Sequence, residues 1–256
     1  MQPTKFYALW FSQRNGSTLL CKALEMTNVL GKPAELFTIG PAEKLLTKHK
    51  AVDYAQLQAK VYEMGSSPNG VFGIKLNAPQ KNNDPIINEL KLFPVAQAAS
   101  NLTTNFAVWE TVFPACKHIF LTRRNKVRQA VSWWKAIMTN EWHREIGGLA
   151  KVNDAAISNK YDFNAIKHLL TETTIRESKI QAFLEEGKAA ALTIVYEDFI
   201  RDYTGTIKRI GQYLGEDIDE AHIALPYYAK LADEISDEWT ERFRVELQKD
   251  WTNKVW

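Results

Sequence analysis

Residues 6–21 read FYALWFSQRNGSTLLC, and the fold of the chain can be predicted from this stretch. Its first six residues are an apolar run of strand length, and the polar residues that follow contain one glycine, Gly16. From Leu19 onward apolar residues recur at helical spacing. The pattern predicts a strand, a tight turn and a helix, and the free N–H groups at the positive end of that helix can bind phosphate.

The polar turn admits two interpretations. In the first, Asn15 or Ser17 simply caps the helix, as these residue types often do. In the second, Arg14 stands at the mouth of the turn, where its planar cation suits a tetrahedral oxyanion. The arginine favours an anion site. A triphosphate P-loop is absent, because no Gly-x-x-x-x-Gly-Lys-Ser/Thr pattern occurs and no lysine stands directly before Ser17.

Four short apolar runs have the character of strands, and helical patterns separate them. They cover residues 6–11, 70–76, 118–122 and 191–196. We predict helices over 41–65, over 126–141 and from Ala232 onward, and a mobile loop over 143–161. Alternation of strands and helices indicates an α/β fold, a P-loop-NTPase-like parallel β-sheet flanked by helices. Ligands in such sheets bind beyond the carboxyl ends of the strands.

Composition narrows the class of protein. The 256 residues suit one domain, 1–256, and are 45% hydrophobic and 24% charged, as in an ordinary globule. A net charge of +2 argues against general nucleic-acid binding. Cys21 and Cys116 are expected in the core, and no cysteine or histidine cluster suggests a metal. No apolar run reaches the roughly 20 residues of a membrane span, so a cytoplasmic location is expected.

Cations also follow two other predicted strands. Lys75 stands near the end of the second strand, and Arg124 follows the third, eight residues before Ser132. An arginine at a strand end can bind phosphate in a bidentate manner, and a hydroxyl on the following helix can add a bond. Two separate anion sites without a triphosphate loop suit a nucleotide that is phosphorylated at both ends.

These motifs resemble the sulfotransferases that use 3′-phosphoadenosine 5′-phosphosulfate (PAPS). Within that superfamily the sequence is most similar to the bacterial trehalose 2-sulfotransferase-like family. The similarity lies in residues 12–21, 34–37, 72–76, 121–132, 195–199 and 238–244, which read SQRNGSTLLC, AELF, FGIKL, LTRRNKVRQAVS, VYEDF and EWTERFR.

The resemblance implies a sulfotransferase fold, PAPS as the sulfuryl donor, the bisphosphate PAP as product, and no metal. It implies that Glu35 is the general base and that Arg14 and Lys75 stabilise charge in the transferred group. The turn would hold the 5′-phosphosulfate, and Arg124 with Ser132 would hold the 3′-phosphate. The donor-binding residues implied are Arg14, Asn15, Gly16, Ser17, Thr18, Leu19, Arg124 and Ser132.

The resemblance also implies a saccharide or glycolipid acceptor, whose identity the sequence does not specify, and a homodimer. Two other functions stay open from the residues themselves. One is a divergent ATP-dependent nucleotide kinase, against which the missing P-loop lysine argues. The other is a non-catalytic nucleotide-binding protein of the same fold.

Overall fold

A computed structural model describes residues 2–38, 44–77, 84–100, 102–152, 156–229 and 231–252. The strands are β1 (Lys5–Phe11), β2 (Val71–Leu76), β3 (Lys117–Thr122) and β4 (Ala191–Val195). The helices are α1 (Ser17–Met26), α2 (Leu45–Lys48), α3 (Tyr54–Gly65), α4 (Pro85–Leu90), α5 (Pro94–Gln97), α6 (Asn105–Val112), α7 (Lys126–Thr139), α8 (Phe163–Glu186), α9 (Tyr196–Arg201), α10 (Tyr203–Leu214) and α11 (Glu234–Gln248).

The four strands form one parallel sheet in the order β2-β1-β3-β4. The predicted α/β class is confirmed, and each strand lies within a residue of its predicted limits. Because the strands run parallel and in register, their carboxyl ends meet at one edge. β1 lies between β2 and β3, so the strand order reverses beside it, which is where ligands bind in sheets of this kind.

Both faces of the sheet are buried, which explains why β1 is apolar throughout. Phe6, Ala8 and Trp10 pack on one face against residues of α3, α6 and α8. Tyr7 and Leu9 pack on the other face against α1 and α10. Alternate residues of a strand point to opposite faces, so a strand covered on both sides has no polar positions.

The two cysteines lie in these cores, as predicted. Cys21 and Cys116 are free and buried on opposite faces of the sheet. Burial raises the pKa of the Cys21 thiol to about 12 and raises that of Cys116 as well. Thiols held neutral in this way are weak nucleophiles and weak metal ligands, so both cysteines act as small apolar side chains.

A third apolar cluster fixes helix α7 against α8 and α11. It contains Val131 and Trp133 of α7, Ile166 of α8, and Trp239 and Phe243 of α11. The apolar side chains Trp239 and Phe243 of the last helix therefore serve packing. Since only three residues separate α7 from β3, this cluster also fixes the side chains that α7 presents at the carboxyl edge of the sheet.

The predicted helix over 41–65 is wrong as a single element, because α2 and α3 are separate; residues 39–43 lie outside the described part. Lys50 has φ 50, a left-handed conformation that ends a helix. Asp53 then caps α3 by accepting a hydrogen bond from the Gln56 N–H. Within the described ranges, none of the helices combines the length and the apolar character needed to span a bilayer.

Candidate active site

The turn between β1 and α1 is partly buried and tightly held. The Asn15 side chain is buried, and its Nδ2 donates to the Leu121 carbonyl of β3 at 2.6 Å. Arg14 and Gly16 both have positive φ, 63° and 87°. A Cβ on Gly16 would lie 2.4 Å from the Tyr196 ring, so only glycine fits this close approach.

Helix α1 leaves its first turn open to a ligand. Gly16 occupies the cap position, and no side chain of the described residues caps the helix. The interpretation in which Asn15 or Ser17 caps α1 is therefore wrong. The Asn15 side chain instead hydrogen-bonds the backbone of β3. The N–H groups of residues 16–19 lie at the positive end of the helix dipole, where they favour an anion.

A cavity of about 520 Å³ opens beside this turn. Its size is that of an ordinary small-molecule site. The lining combines the turn, the β3–α7 connection, α9 and two loops. Its residues include Arg14, Gly16, Ser17, Thr18, Leu19, Arg123, Asn125, Arg128, Ser132, Trp142, His143, Tyr196, Tyr203 and Tyr228.

Arg14 joins the turn to the opposite wall of the cavity. Its Nε donates to Ser132 Oγ at 3.1 Å, and its Nη1 donates to the Trp142 carbonyl. Burial and then the neighbouring charge of Arg123 lower the pKa of Arg14 to about 10. The guanidinium is therefore still a cation at neutral pH, poorly solvated and suited to an anionic ligand.

Arg123 is the second cation of the cavity wall. The residue is 8% exposed, and its guanidinium lies 5.0 Å from the Tyr196 ring centroid. Nη1 donates to the Arg14 carbonyl at 3.3 Å. Nε forms an ion pair with Glu197 Oε1 at 3.6 Å and has no hydrogen-bond partner among the described residues. Burial lowers the pKa of this guanidinium too. Arg123 is thus a buried cation, paired with Glu197, whose Nε donor can still hydrogen-bond an anionic ligand.

Arg124 points elsewhere. Its side chain is 59% exposed, and Nη2 donates to Asp198 Oδ2 at 2.7 Å. It does not line the cavity that Ser132 lines. Both arginines follow the end of β3, and of the two Arg123 lines the cavity.

An ion pair borders the turn on its other side. Lys75 Nζ lies 2.8 Å from Glu35 Oε1, 3.4 Å from Thr18 Oγ1 and 4.3 Å from the Phe11 ring centroid. Lys75 is 7% exposed, whereas the Glu35 side chain is 40% exposed. The backbone places them together, because the Lys75 N–H donates to the Ala34 carbonyl at 3.1 Å. Lys75 thus links a solvent-accessible carboxylate to the anion-binding turn.

Two loops close the far wall of the cavity. The Ile146 N–H donates to the Tyr227 carbonyl at 3.1 Å, and the Ala229 N–H donates to the Arg144 carbonyl at 2.8 Å. The His143 and Tyr228 rings pack with centroids 5.2 Å apart. Part of the predicted 143–161 loop is therefore a wall of the site. Its mobility stays a prediction.

The sequence model of one protein family matches residues 6–246, which is most of the chain. The family is described as Stf0 sulphotransferase. The chain belongs to the Stf0 sulphotransferase family. The resemblance inferred from the motifs is thereby confirmed.

Two relatives of this Stf0 sulphotransferase chain are mycobacterial. A trehalose 2-sulfotransferase of Mycolicibacterium smegmatis is 28% identical over 272 residues, covering 97% of each chain. A trehalose 2-sulfotransferase of Mycobacterium tuberculosis is 25% identical over 267 residues, covering 95% of this chain and 96% of the relative. Among solved structures, the sulfotransferase domain of the Synechococcus PCC 7002 olefin synthase is 17% identical over 95% of this chain and 88% of that chain, with a TM-score of 0.45.

The structure brings together most of the predicted site residues of this Stf0 sulphotransferase. Five of the predicted cavity residues, Arg14 and Gly16 to Leu19, come from the turn and the start of α1, and Ser132 comes from α7. Glu35 and Lys75 adjoin the turn. Asn15 does not line the cavity, because its side chain is buried against β3. Arg124 is not brought to the cavity, and its role stays a prediction. The sequence analysis did not assign Arg123 to the site, although two adjacent arginines signal that either Arg123 or Arg124 could face it.

In the described part of the chain, histidine, cysteine and carboxylate side chains form no group of three suited to a metal.

Proposed function

We propose that this Stf0 sulphotransferase transfers the sulfuryl group of PAPS to a hydroxyl of a saccharide or glycolipid acceptor. One observation carries the proposal: the open end of α1, Arg14 and Arg123 converge on one cavity, and the Lys75–Glu35 pair borders the same turn. The saccharide acceptor is supported by the names of the two mycobacterial relatives.

The residues of the cavity fit a donor with phosphate at both ends. The N–H groups of residues 16–19 and the Arg14 guanidinium would hold the 5′-phosphosulfate. Arg123, Arg128 and Ser132 would hold the 3′-phosphate, and the unpartnered Nε of Arg123 would gain an acceptor there. The exposed Arg124 remains the alternative that the sequence motif predicts.

In the proposed reaction, the sulfur–oxygen bond to the 5′-phosphate breaks as a bond forms between sulfur and the acceptor oxygen. Glu35 accepts the proton of the acceptor hydroxyl, so PAP, the sulfate ester and a protonated carboxyl group result. General-base assistance of this kind contributes about 10²–10⁴ in rate. Lys75 keeps the carboxylate beside the turn and, with Arg14, stabilises negative charge on the equatorial oxygens and the leaving phosphate.

The experiment that tests this function has a binding arm and a turnover arm. Titration with PAP should show binding to the wild type, weakening of about tenfold or more in Arg123→Ala, and a change within about twofold in Arg124→Ala. The reverse order of the two variants would restore the role predicted for Arg124. No binding by the wild type would refute the donor assignment.

The turnover arm uses labelled PAPS with a panel of sugars and glycolipids that includes trehalose. Release of PAP that depends on an acceptor, and persists in EDTA, is expected of the proposed enzyme. Binding of PAPS without release of PAP would support a non-catalytic nucleotide-binding protein. Release of PAP with no acceptor requirement would show hydrolysis of PAPS and would contradict transfer to a saccharide or glycolipid. Phosphate transfer from ATP with magnesium would support the kinase alternative.

A further inference from the structure

One buried acid lies at the carboxyl edge of the sheet, outside the cavity lining and unused by the proposed chemistry. Glu177 of α8 is 9% exposed. Its Oε1 accepts a hydrogen bond from Ser12 Oγ, and its Oε2 accepts one from Thr122 Oγ1, both at 2.9 Å. Ser12 follows β1 and Thr122 ends β3. The carboxylate therefore ties together the two strand ends from which the anion-binding segments begin.

The same carboxylate also fixes the start of helix α7. Lys126 Nζ lies 2.6 Å from both Glu177 oxygens and donates to Thr122 Oγ1 at 2.8 Å. Hydrogen bonds between ionised partners are short and strong, and the poorly solvated surroundings strengthen them further. The Glu177 carboxylate and Lys126 therefore form one ion-paired network that connects the ends of β1 and β3 with α7 and α8.

A buried glutamine carries this network into the turn. Gln129 Nε2 donates to Ser12 Oγ at 2.9 Å and to the Gln13 carbonyl at 2.7 Å. Gln13 immediately precedes Arg14, and Ser132 follows Gln129 by one turn of α7. The turn that would hold one phosphate is therefore anchored to the helix that would hold the other.

We propose that Glu177 is a positioning residue that sets the spacing between the two anion-binding segments. It does so by holding the entry of the turn against the first turn of α7. The inference rests on the proposed function, since it supposes a ligand with phosphate at both ends of adenosine. A glutamine at this position keeps the shape but has one acceptor oxygen, so it cannot accept from both hydroxyls and balance the charge of Lys126.

The test compares two nucleotides that differ in one phosphate. Affinities for adenosine 3′,5′-bisphosphate and adenosine 5′-monophosphate are measured by calorimetry at fixed chloride concentration. The bisphosphate preference of the wild type should fall about tenfold or more in Glu177→Gln, the equivalent of one charged hydrogen bond to the second phosphate. A merely structural role would lower the melting temperature without changing this ratio.

The matched control is Ile180→Val, a core truncation one turn further along α8. It should lower the melting temperature and leave the preference intact. An unchanged preference in Glu177→Gln overturns the positioning role.

If that variant does not fold, Thr122→Val removes one hydroxyl of the network and should reduce the preference about threefold. No reduction in Thr122→Val overturns the role equally. A wild type with no preference for the bisphosphate overturns the donor assignment and this role together, whereas a preference that survives in the variants overturns the role alone.

Discussion

His118 should make the protein markedly less stable in mild acid. It begins the buried part of β3, and its Nδ1 accepts a hydrogen bond from Trp10 Nε1 at 2.9 Å. The indole N–H can only donate, so Nδ1 must be unprotonated and the neutral ring carries its proton on Nε2. That Nε2 is buried and has no partner among the described residues. Protonation would place an unpaired charge in the core and break the Trp10 hydrogen bond.

The size of this effect follows from the pKa. Burial lowers the pKa of His118 from an ordinary 6.5 to about 4. Between these values the unfolded chain binds a proton that the folded chain does not, so stability falls as the pH drops through this window. Each unit of pKa difference is worth about 1.4 kcal/mol. The loss is about 2 kcal/mol at pH 5 and approaches ~3.4 kcal/mol below pH 4.

Urea unfolding at pH 7.5 and pH 5 measures this loss, and His118→Asn isolates it. The asparagine oxygen can still accept from Trp10, so the variant loses packing equally at both pH values. The difference between the two pH values should therefore be about 2 kcal/mol smaller in His118→Asn than in the wild type. His222→Asn, at an exposed position, should leave the difference unchanged. Equal acid sensitivity of the wild type and His118→Asn would refute the reasoning.

Three further predictions concern the site. Glu35→Gln should retain PAP binding and lose about 10²–10⁴ in turnover; near wild-type turnover would remove Glu35 from the base role. Lys75→Met should lower turnover and also raise the KM for PAPS, because the lysine contacts both the carboxylate and the turn; a change in turnover alone would contradict this. Gly16→Ala should abolish nucleotide binding in a titration, because its φ of 87° and the Tyr196 ring leave no room for a Cβ. Gly147→Ala is its control, with a similar φ of 83° but open space around it, and should bind normally.

The fold could be predicted because its signals are local. Each strand is a short apolar run bounded by polar residues, and burial on both faces of the sheet produces that pattern directly. The helix predicted over 126–141 begins where it was expected and ends two residues early, because Asn140 adopts a φ of 51°. The error at 41–65 arose because a left-handed Lys50 divides the segment, and lysine gives no sequence signal for that conformation.

The site could be predicted only in part because its geometry is not local. Gly16 and Ser17 follow from the turn motif alone. The contact of Glu35 with Lys75 depends on a backbone pairing between residues distant in the sequence, Ala34 and Ile74. The choice between Arg123 and Arg124 depends on the backbone path of the connection between β3 and α7, for which two adjacent arginines give no sequence signal. That the protein is one domain, homodimeric and cytoplasmic stays a prediction.

The uncapped start of α1 has a practical consequence for the choice of buffer. Helix ends with free N–H groups bind any small oxyanion, so phosphate or sulfate in solution competes with the nucleotide. Such ions also bind the folded state selectively and raise its melting temperature by mass action. A thermal-shift screen in phosphate buffer would therefore start from a partly saturated protein and understate the shift caused by PAP. Purification and assay in chloride salts of a buffer that carries no oxyanion avoids this masking.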